Sequence, residues 1–298
     1  MKIMIENTVD QYEKLFSMQH NKEHFFRYTM MKPFEKMWNM INVPLKAKQQ
    51  NGYDVIMATN MLGYLDISDT QTGRQALKRL QEIQALQIVD ITLHHCMDFT
   101  KKHNLHINAD ELRFCLYIAD PKKLELQKKY CGFGGIPGFI QVVLYPTPYN
   151  IQRIPALIAH EFHHNIRFSY FEWDYGNVTV GDYLIIEGLA ESFAKELYGE
   201  HLLGPWVTSF DKQDLEYSNE VIKDALHTKG FAEVSSYMFG DTIAKEQGYQ
   251  PVRLSAFAGY AVGYQAVHSF MKTNNVGIEE ATLLGTEEIL RNCELFST

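Results

Sequence analysis

Most of the chain has the three-to-four-residue spacing of apolar positions that is typical of amphipathic helices. This spacing predicts helices over residues 8–50, 72–86, 87–102, 211–226 and 229–239. Three more apolar segments, 154–168, 182–198 and 254–271, are long enough to be buried helices. The first range carries large apolar side chains that we expect in a core: Tyr12, Leu15, Phe16, Phe25, Phe26, Tyr28, Met31, Phe34, Met37 and Trp38.

Two shorter runs, 112–118 and 139–145, are rich in aromatic and branched residues over strand-like lengths. Between them, the glycines of residues 131–138 predict a loop that turns the chain into the second strand. They match neither phosphate-binding pattern, G-x-G-x-x-G or G-K-[ST]. The sequence therefore predicts a mostly helical α+β fold with a small antiparallel or mixed sheet.

Composition narrows the class of protein. The 298 residues are 46% hydrophobic and carry a formal charge of −8, which argues against a nucleic-acid-binding surface. The first ten residues gain acidic side chains too early for a signal peptide, and no run of about 18 apolar residues occurs that could span a membrane. The four cysteines have no C-x-x-C spacing, so we expect a reduced, cytoplasmic protein.

The segment 154–168 contains His160-Glu161-Phe162-His163-His164, an H-E-x-x-H pattern. Positions four apart share a helix face, so His160 and His164 can direct imidazole nitrogens at one zinc ion. Glu161 can then act as a general base without being a ligand. His163 points elsewhere around the helix, and we interpret it as a surface or core histidine.

A third ligand is expected on the helix over 182–198, for which Asp182 is a candidate N-cap and Gly199 a candidate C-terminal glycine. Glu187 and Glu191 share a face of this helix. Either could bind the metal while the other accepts the second N–H of a ligand histidine. The metzincin pattern is excluded, because Arg167 and Tyr170 stand where it needs glycine and histidine.

These segments, together with Gly259-Tyr-Ala-Val-Gly-Tyr264, resemble the YjaZ-type family of predicted zinc-dependent proteases, which is gluzincin-like, over roughly residues 130–270. The resemblance implies one Zn²⁺ per chain, with His160, His164 and Glu187 as ligands, Glu161 as catalytic base and Glu191 behind the ligands. It further implies a zincin-like catalytic domain over 109–298 after a helical N-terminal region over 1–108, although the two can form one continuous domain. In zincin-like folds the strand before the metal helix commonly binds an extended peptide by β-addition, which would here be residues 139–145.

Other candidate residues lie outside the motif. Tyr264, Tyr260, His227 and Arg253, in that order, are candidates for stabilising the oxyanion formed during hydrolysis. Gly259 and Gly263 form a small-residue face that would let another helix approach closely. The long connection over 169–181, with Trp173, Asp174 and Tyr175, is a candidate lid.

The function predicted from these features is zinc-dependent hydrolysis of peptides or proteins. Two alternatives use the same residues. One is a non-catalytic zinc- or peptide-binding protein that keeps a zincin-like fold, and the other is a metal-dependent hydrolase of non-peptide amides or esters.

Overall fold

The computed structural model describes residues 1–49, 52–174 and 176–296. It has a mostly helical α+β fold with one small mixed sheet, as predicted. Contacts between residues group the chain into two compact units. The first contains Met1–Asp98 and Ile107–Asn165, and the second contains Phe99–His106 and Ile166–Thr298. The catalytic domain over 109–298 stays a prediction.

The first unit contains the sheet. Its strands are β1 (Lys2–Ile5), β2 (Glu111–Ile118), β3 (Tyr130–Ile136) and β4 (Phe139–Leu144). Its helices are α1 (Thr8–Ser17), α2 (Lys22–Phe25), α3 (Glu35–Met40), α4 (Val55–Met61), α5 (Thr70–Glu82), most of α6 (Ala85–Lys102), α7 (Pro148–Ile151) and the first part of α8 (Ile154–Tyr170).

The strands follow the order β1-β2-β4-β3. β1 and β4 both pair with β2 in parallel, and β3 pairs antiparallel with β4. The two inner strands, β2 and β4, are buried over nearly their whole length, as expected when both faces of a sheet are covered. β4 therefore has strand partners on both sides. The prediction that residues 139–145 form a free edge is wrong, because the outer position beyond β4 belongs to β3.

β3 also corrects the prediction of a glycine-rich loop over 131–138. These residues form a strand up to Ile136 and turn only at its end, where Gly138 has φ +93°. The strand was missed because its glycines have no side chains to give an apolar pattern. β1 was missed because it is only four residues long.

The helices of the first unit largely follow the predictions. The apolar residues of 8–50 form the expected core, except that Tyr28 is 42% exposed. In the described part of that range, up to residue 49, the helical structure ends at Met40, and a π-helical turn and a 3₁₀ turn interrupt it between α2 and α3. Asn150 lies in the short helix α7, and the helix with the H-E-x-x-H residues begins at Ile154, where its apolar segment begins.

The second unit is helical. Its described residues form the end of α6, the end of α8 and the helices α9 (Val180–Tyr198), α10 (Pro205–Thr208), α11 (Lys212–Lys223), α12 (Phe231–Glu246), α13 (Ala258–Asn274), α14 (Ile278–Ala281) and α15 (Thr286–Arg291). The helix predicted over 229–239 is longer in the structure, because α12 continues through a kink at Gly240 as far as Glu246.

A close crossing of α9 and α13 holds the second unit together. A Cβ atom added at Gly188 would lie 2.1 Å from the carbonyl oxygen of Gly263, and one added at Gly263 would lie 2.3 Å from that of Leu184. The predicted small-residue face is therefore present at Gly263. At Gly259 the neighbour is Met238 of α12. This crossing fixes the height and rotation of α9, the helix that carries Glu187. Within the described ranges, none of the helices combines the length and the apolar character needed to cross a lipid bilayer.

Candidate metal centre

Helix α8 carries the H-E-x-x-H residues. Pro155 is tolerated as its second residue, because the first N–H groups of a helix have no acceptor within the helix. His160 and His164 are each 6% exposed, and their Nε2 atoms lie 3.1 Å apart. The two imidazoles therefore converge on one point, as the spacing predicted.

Helix α9 carries the third candidate ligand. The helix begins after Thr179, whose hydroxyl accepts the N–H of Asp182, while the Asp182 carboxylate accepts the N–H of Thr179. This is a capping box, so the prediction of Asp182 as the N-cap is wrong by one turn. The helix ends at Gly199, as predicted, with φ +88°. Two turns into α9, Glu187 is 6% exposed.

One potential ligand atom from each of His160, His164 and Glu187 lies within 4.8 Å of the others. All three side chains are buried, and together they offer two imidazole nitrogens and one carboxylate oxygen. This is the His₂Glu set that catalytic zinc uses, with distances that leave room for a shared ion. His163, fully buried on the same helix, is not in this group.

Glu161 is 5% exposed and lies against β3. A Cβ atom added at Gly132 would lie 2.4 Å from its Oε1 atom, and one added at Gly134 would lie 2.0 Å from its backbone oxygen. The two glycines are two residues apart and so face the same side of the strand. They allow α8 to pack directly on β3 and leave space for the carboxylate of Glu161.

Asn165, one turn after Glu161, is fully buried and binds the turn between β3 and β4. The N–H of Gly138 donates to its Oδ1 atom over 2.7 Å, and its Nδ2 atom donates to the carbonyl oxygens of Gly134 and Phe139 over 2.8 and 3.0 Å. The side chain of Asn165 thus links α8 to both strands of the hairpin.

Glu191 is 2% exposed, one turn beyond Glu187 on α9. The indole N–H of Trp206 donates to its Oε1 atom. This bond fixes one carboxylate oxygen of Glu191. Its predicted bond to a ligand histidine stays a prediction.

The four oxyanion candidates lie in different environments. Tyr264 is 8% exposed on α13, and burial raises the pKa of its phenol, while the nearby ammonium of Lys195 opposes this shift and the charge of Glu191 adds to it. Tyr260 is half-buried and packs on Phe239 and Phe257.

The other two candidates are exposed. His227 follows Leu226, whose carbonyl oxygen accepts the N–H of Gly181 at the start of α9. Arg253 lies in the connection before α13, and its backbone N–H donates to Asp241. Of the four candidates, Tyr264 is thus the most deeply buried.

The candidate lid is partly described. Trp173 packs on Phe168 and Tyr183, with ring centroids 5.4 and 5.5 Å away. The Oδ1 atom of Asp174 accepts the N–H of Gly176 over 2.9 Å. Tyr175 lies outside the described residues, and the role of this segment as a lid stays a prediction.

Comparison with known proteins identifies the family. The model of the family DUF2268, described as predicted Zn-dependent protease, matches residues 86–291. The chain belongs to this family. The match includes both α8 and α9 and therefore the whole group of candidate ligands.

Two relatives of this predicted Zn-dependent protease come from Bacillus subtilis (strain 168). The uncharacterized protein YjfC is 60% identical over 299 residues, which cover 100% of both chains. The uncharacterized protein YjaZ is 27% identical over 139 residues, which cover 46% of this chain and 49% of YjaZ. No solved structure matches the chain.

Reasoning from the sequence missed four residues around the site of this family member: Gly132, Gly134, Asn165 and Trp206. Two of them had a signal. Gly132 and Gly134 alternate with larger residues just before a predicted strand, which is the pattern of a strand that has no side chains on one face. Asn165 and Trp206 gave none, since their partners are distant in sequence.

Proposed function

We propose that this chain is a zinc-dependent peptidase in which Glu161 is the general base. The observation that supports this most directly is the buried group of His160, His164 and Glu187, whose ligand atoms lie within 4.8 Å of one another. A site that only bound metal would have no need for a carboxylate next to the first histidine. Glu161 occupies that place and has space reserved for it by Gly132.

The two imidazoles and the carboxylate would hold the zinc ion and leave a coordination position for water or substrate. When bound, zinc supplies Lewis-acid polarisation of the scissile carbonyl and lowers the pKa of the attacking water to near 7.

Glu161 then takes the proton from the attacking water and transfers it to the leaving amine. Its carboxylate is held between α8 and β3, and this restricts the rotamers from which it can act. Tyr264 is the first candidate to donate a hydrogen bond to the oxyanion. Glu191 would orient a ligand histidine by accepting its second ring N–H, while Trp206 already donates to one of the Glu191 oxygens.

We further propose that the substrate backbone pairs with β3. The strand order gives β3 a strand partner on one side only among the described residues. Glu161 lies against this same strand. A peptide added to the outer edge of β3 would therefore extend past the general base, which the inner strand β4 could not arrange.

The test combines metal content with turnover. Zinc would be measured by elemental mass spectrometry in wild type and in Glu161→Gln, and both would be assayed with a library of quenched-fluorescence peptides. We expect about one zinc per chain in both proteins, with peptide cleavage at least 10²-fold slower in the variant, the usual scale of general-base catalysis.

The alternatives predict other results. A non-catalytic zinc-binding protein would bind zinc without cleaving any peptide or ester. A hydrolase of non-peptide substrates would cleave model esters or acyl amides in a Glu161-dependent way and leave the peptides intact. Wild type without zinc after reconstitution would refute the proposal.

A further inference from the structure

The β3–β4 hairpin has an irregular end. The strands pair in register from Tyr130 to Phe133, but the register shifts between Phe133 and Ile136. A bulge of this kind interrupts the ladder of backbone hydrogen bonds, so the ladder alone fixes this end of β3 weakly.

Asn165 supplies bonds at that place. Its side chain holds the carbonyl oxygen of Gly134 inside the irregular stretch, and the N–H of Gly138 and the carbonyl oxygen of Phe139 just beyond it. All three bonds are 3.0 Å or shorter, and the side chain is fully buried, where such bonds are strongest. Because Asn165 lies on α8, these bonds tie the bulged end of β3 to the helix that carries Glu161.

We propose that Asn165 is a positioning residue, which holds the outer edge of β3 in place for the substrate backbone next to Glu161. This inference rests on the proposed peptidase function. It assigns to Asn165 a role in substrate binding through β3, since Asn165 itself faces the inside of the hairpin.

The expected effect falls on binding. Without Asn165, the bulged end of β3 loses the bonds that hold it, and a peptide must order the strand as it pairs with it. Ordering on binding weakens affinity, whereas the bound complex regains its geometry. Asn165→Ala should therefore raise KM for peptides long enough to reach the edge of β3 by about tenfold and change kcat by less than about threefold. A blocked dipeptide substrate, which is too short to pair along the strand, should show little change in KM.

The chain offers a matched control at the other end of the same hairpin. Asn150 is also fully buried, its Nδ2 atom donates to the carbonyl oxygens of Lys128 and Tyr145, and its Oδ1 atom accepts the N–H of Thr147. Asn150→Ala also removes three side-chain bonds, two of them at the open end of the hairpin and one at the cap of α7, but leaves the bulge next to Glu161 intact. A merely structural loss should affect both variants alike.

The experiment compares zinc-loaded wild type, Asn165→Ala and Asn150→Ala, with an eight-residue quenched-fluorescence peptide that wild type cleaves. Zinc content and urea unfolding are measured in parallel, so that the kinetics refer to folded, loaded protein. A KM raised for the long peptide in Asn165→Ala alone supports the inference.

Other outcomes overturn it. Equal KM values in wild type and Asn165→Ala, or equal increases in the two variants, would show that Asn165 contributes only to folding. A fall in kcat with KM unchanged would assign Asn165 to the chemistry rather than to the substrate edge. If wild type cleaves no peptide, the proposed function fails and this inference with it, whereas an active wild type with unaltered Asn165→Ala removes the inference alone.

Discussion

Replacement by alanine should have different effects at two glycines of β3, reducing turnover at Gly132 and stability at Gly134. Gly132→Ala would place a Cβ atom 2.4 Å from Oε1 and 2.5 Å from Cγ of Glu161, which belong to a side chain that can rotate away. Gly134→Ala would place a Cβ atom 2.0 Å from the backbone oxygen of Glu161, which can move only with α8. Neither glycine has a positive φ, so the backbone itself accepts alanine.

The expected changes in stability and turnover depend on which atoms must move to make room for the new Cβ atom. In Gly132→Ala the carboxylate leaves its rotamer, which costs about 1 kcal/mol and is partly offset by the gain of about 0.5–1 kcal/mol from replacing glycine in a strand. Stability should therefore stay within about 1 kcal/mol of wild type. Displacing the general base by about 1 Å should slow turnover by about 10²-fold. In Gly134→Ala the helix and strand must separate, which costs about 1–3 kcal/mol as overpacking does in a core.

The assay measures three quantities on each variant: the free energy of unfolding in urea, the zinc content, and kcat with a cleavable quenched-fluorescence peptide. Gly285→Ala is the control, because a Cβ atom at Gly285 has no neighbour within 4 Å. We expect Gly132→Ala to be folded, zinc-loaded and nearly inactive, and Gly134→Ala to be measurably less stable.

Turnover of Gly132→Ala within about threefold of wild type, with zinc bound, would refute the reasoning, because the base would then not depend on the space above Gly132. Unchanged stability of Gly134→Ala would separately show that α8 does not press on β3.

Three further predictions concern the second unit. Glu187→Ala should lose most of the bound zinc. Glu191→Ala should keep most of it, but its free energy of unfolding should fall by about 1–3 kcal/mol, because the buried indole N–H of Trp206 loses its acceptor. Metal analysis and urea unfolding measure these two effects. Gly188→Ala should destabilise the protein by about 2 kcal/mol by forcing α9 from α13, and unfolding within 0.5 kcal/mol of wild type would contradict that crossing. Partial burial, and to a smaller extent the ammonium of Lys195, lowers the pKa of His268. This imidazole therefore binds a proton more tightly in the unfolded chain than in the folded one. Stability should accordingly fall as the pH drops through about 6.5, and less in His268→Gln, when urea unfolding is compared at pH 5 and 8.

The helices that carry the candidate metal ligands could be predicted because their signals are local. Side chains four residues apart share a face of a helix, which applies to His160 and His164 on α8 and to Glu187 and Glu191 on α9. That α9 brings Glu187 close to the histidines followed from the family resemblance, not from spacing.

The sheet could not be predicted to the same depth, since strand order depends on contacts between distant segments. The sequence showed two apolar strands, and both are present. The alternation of Gly132 and Gly134 with larger residues is a weak sign of a strand, and it does not indicate that β3 pairs outside β4, because a glycine-rich strand lacks the side chains on which the apolar pattern rests. The expected edge was therefore assigned to β4, which is an inner strand.

The cap of α9 shows how a local signal can be ambiguous. Thr179 and Asp182 are both good N-cap residues, and they stand three apart. In the structure each accepts the other's N–H, so both residues cap, with the helix starting at the earlier one.

The parallel pairing of β1 with β2 has a consequence for how the protein folds. Lys2 lies beside Glu111 and Ile5 beside Phe114, so β1 can pair only after more than a hundred further residues have been made. Until β1 docks, the outer side of β2 presents unpaired N–H and C=O groups next to an apolar surface, which is a template for association with other chains. Removing β1, or tethering it to a bulky fusion, should leave that template open and make aggregation the first visible defect.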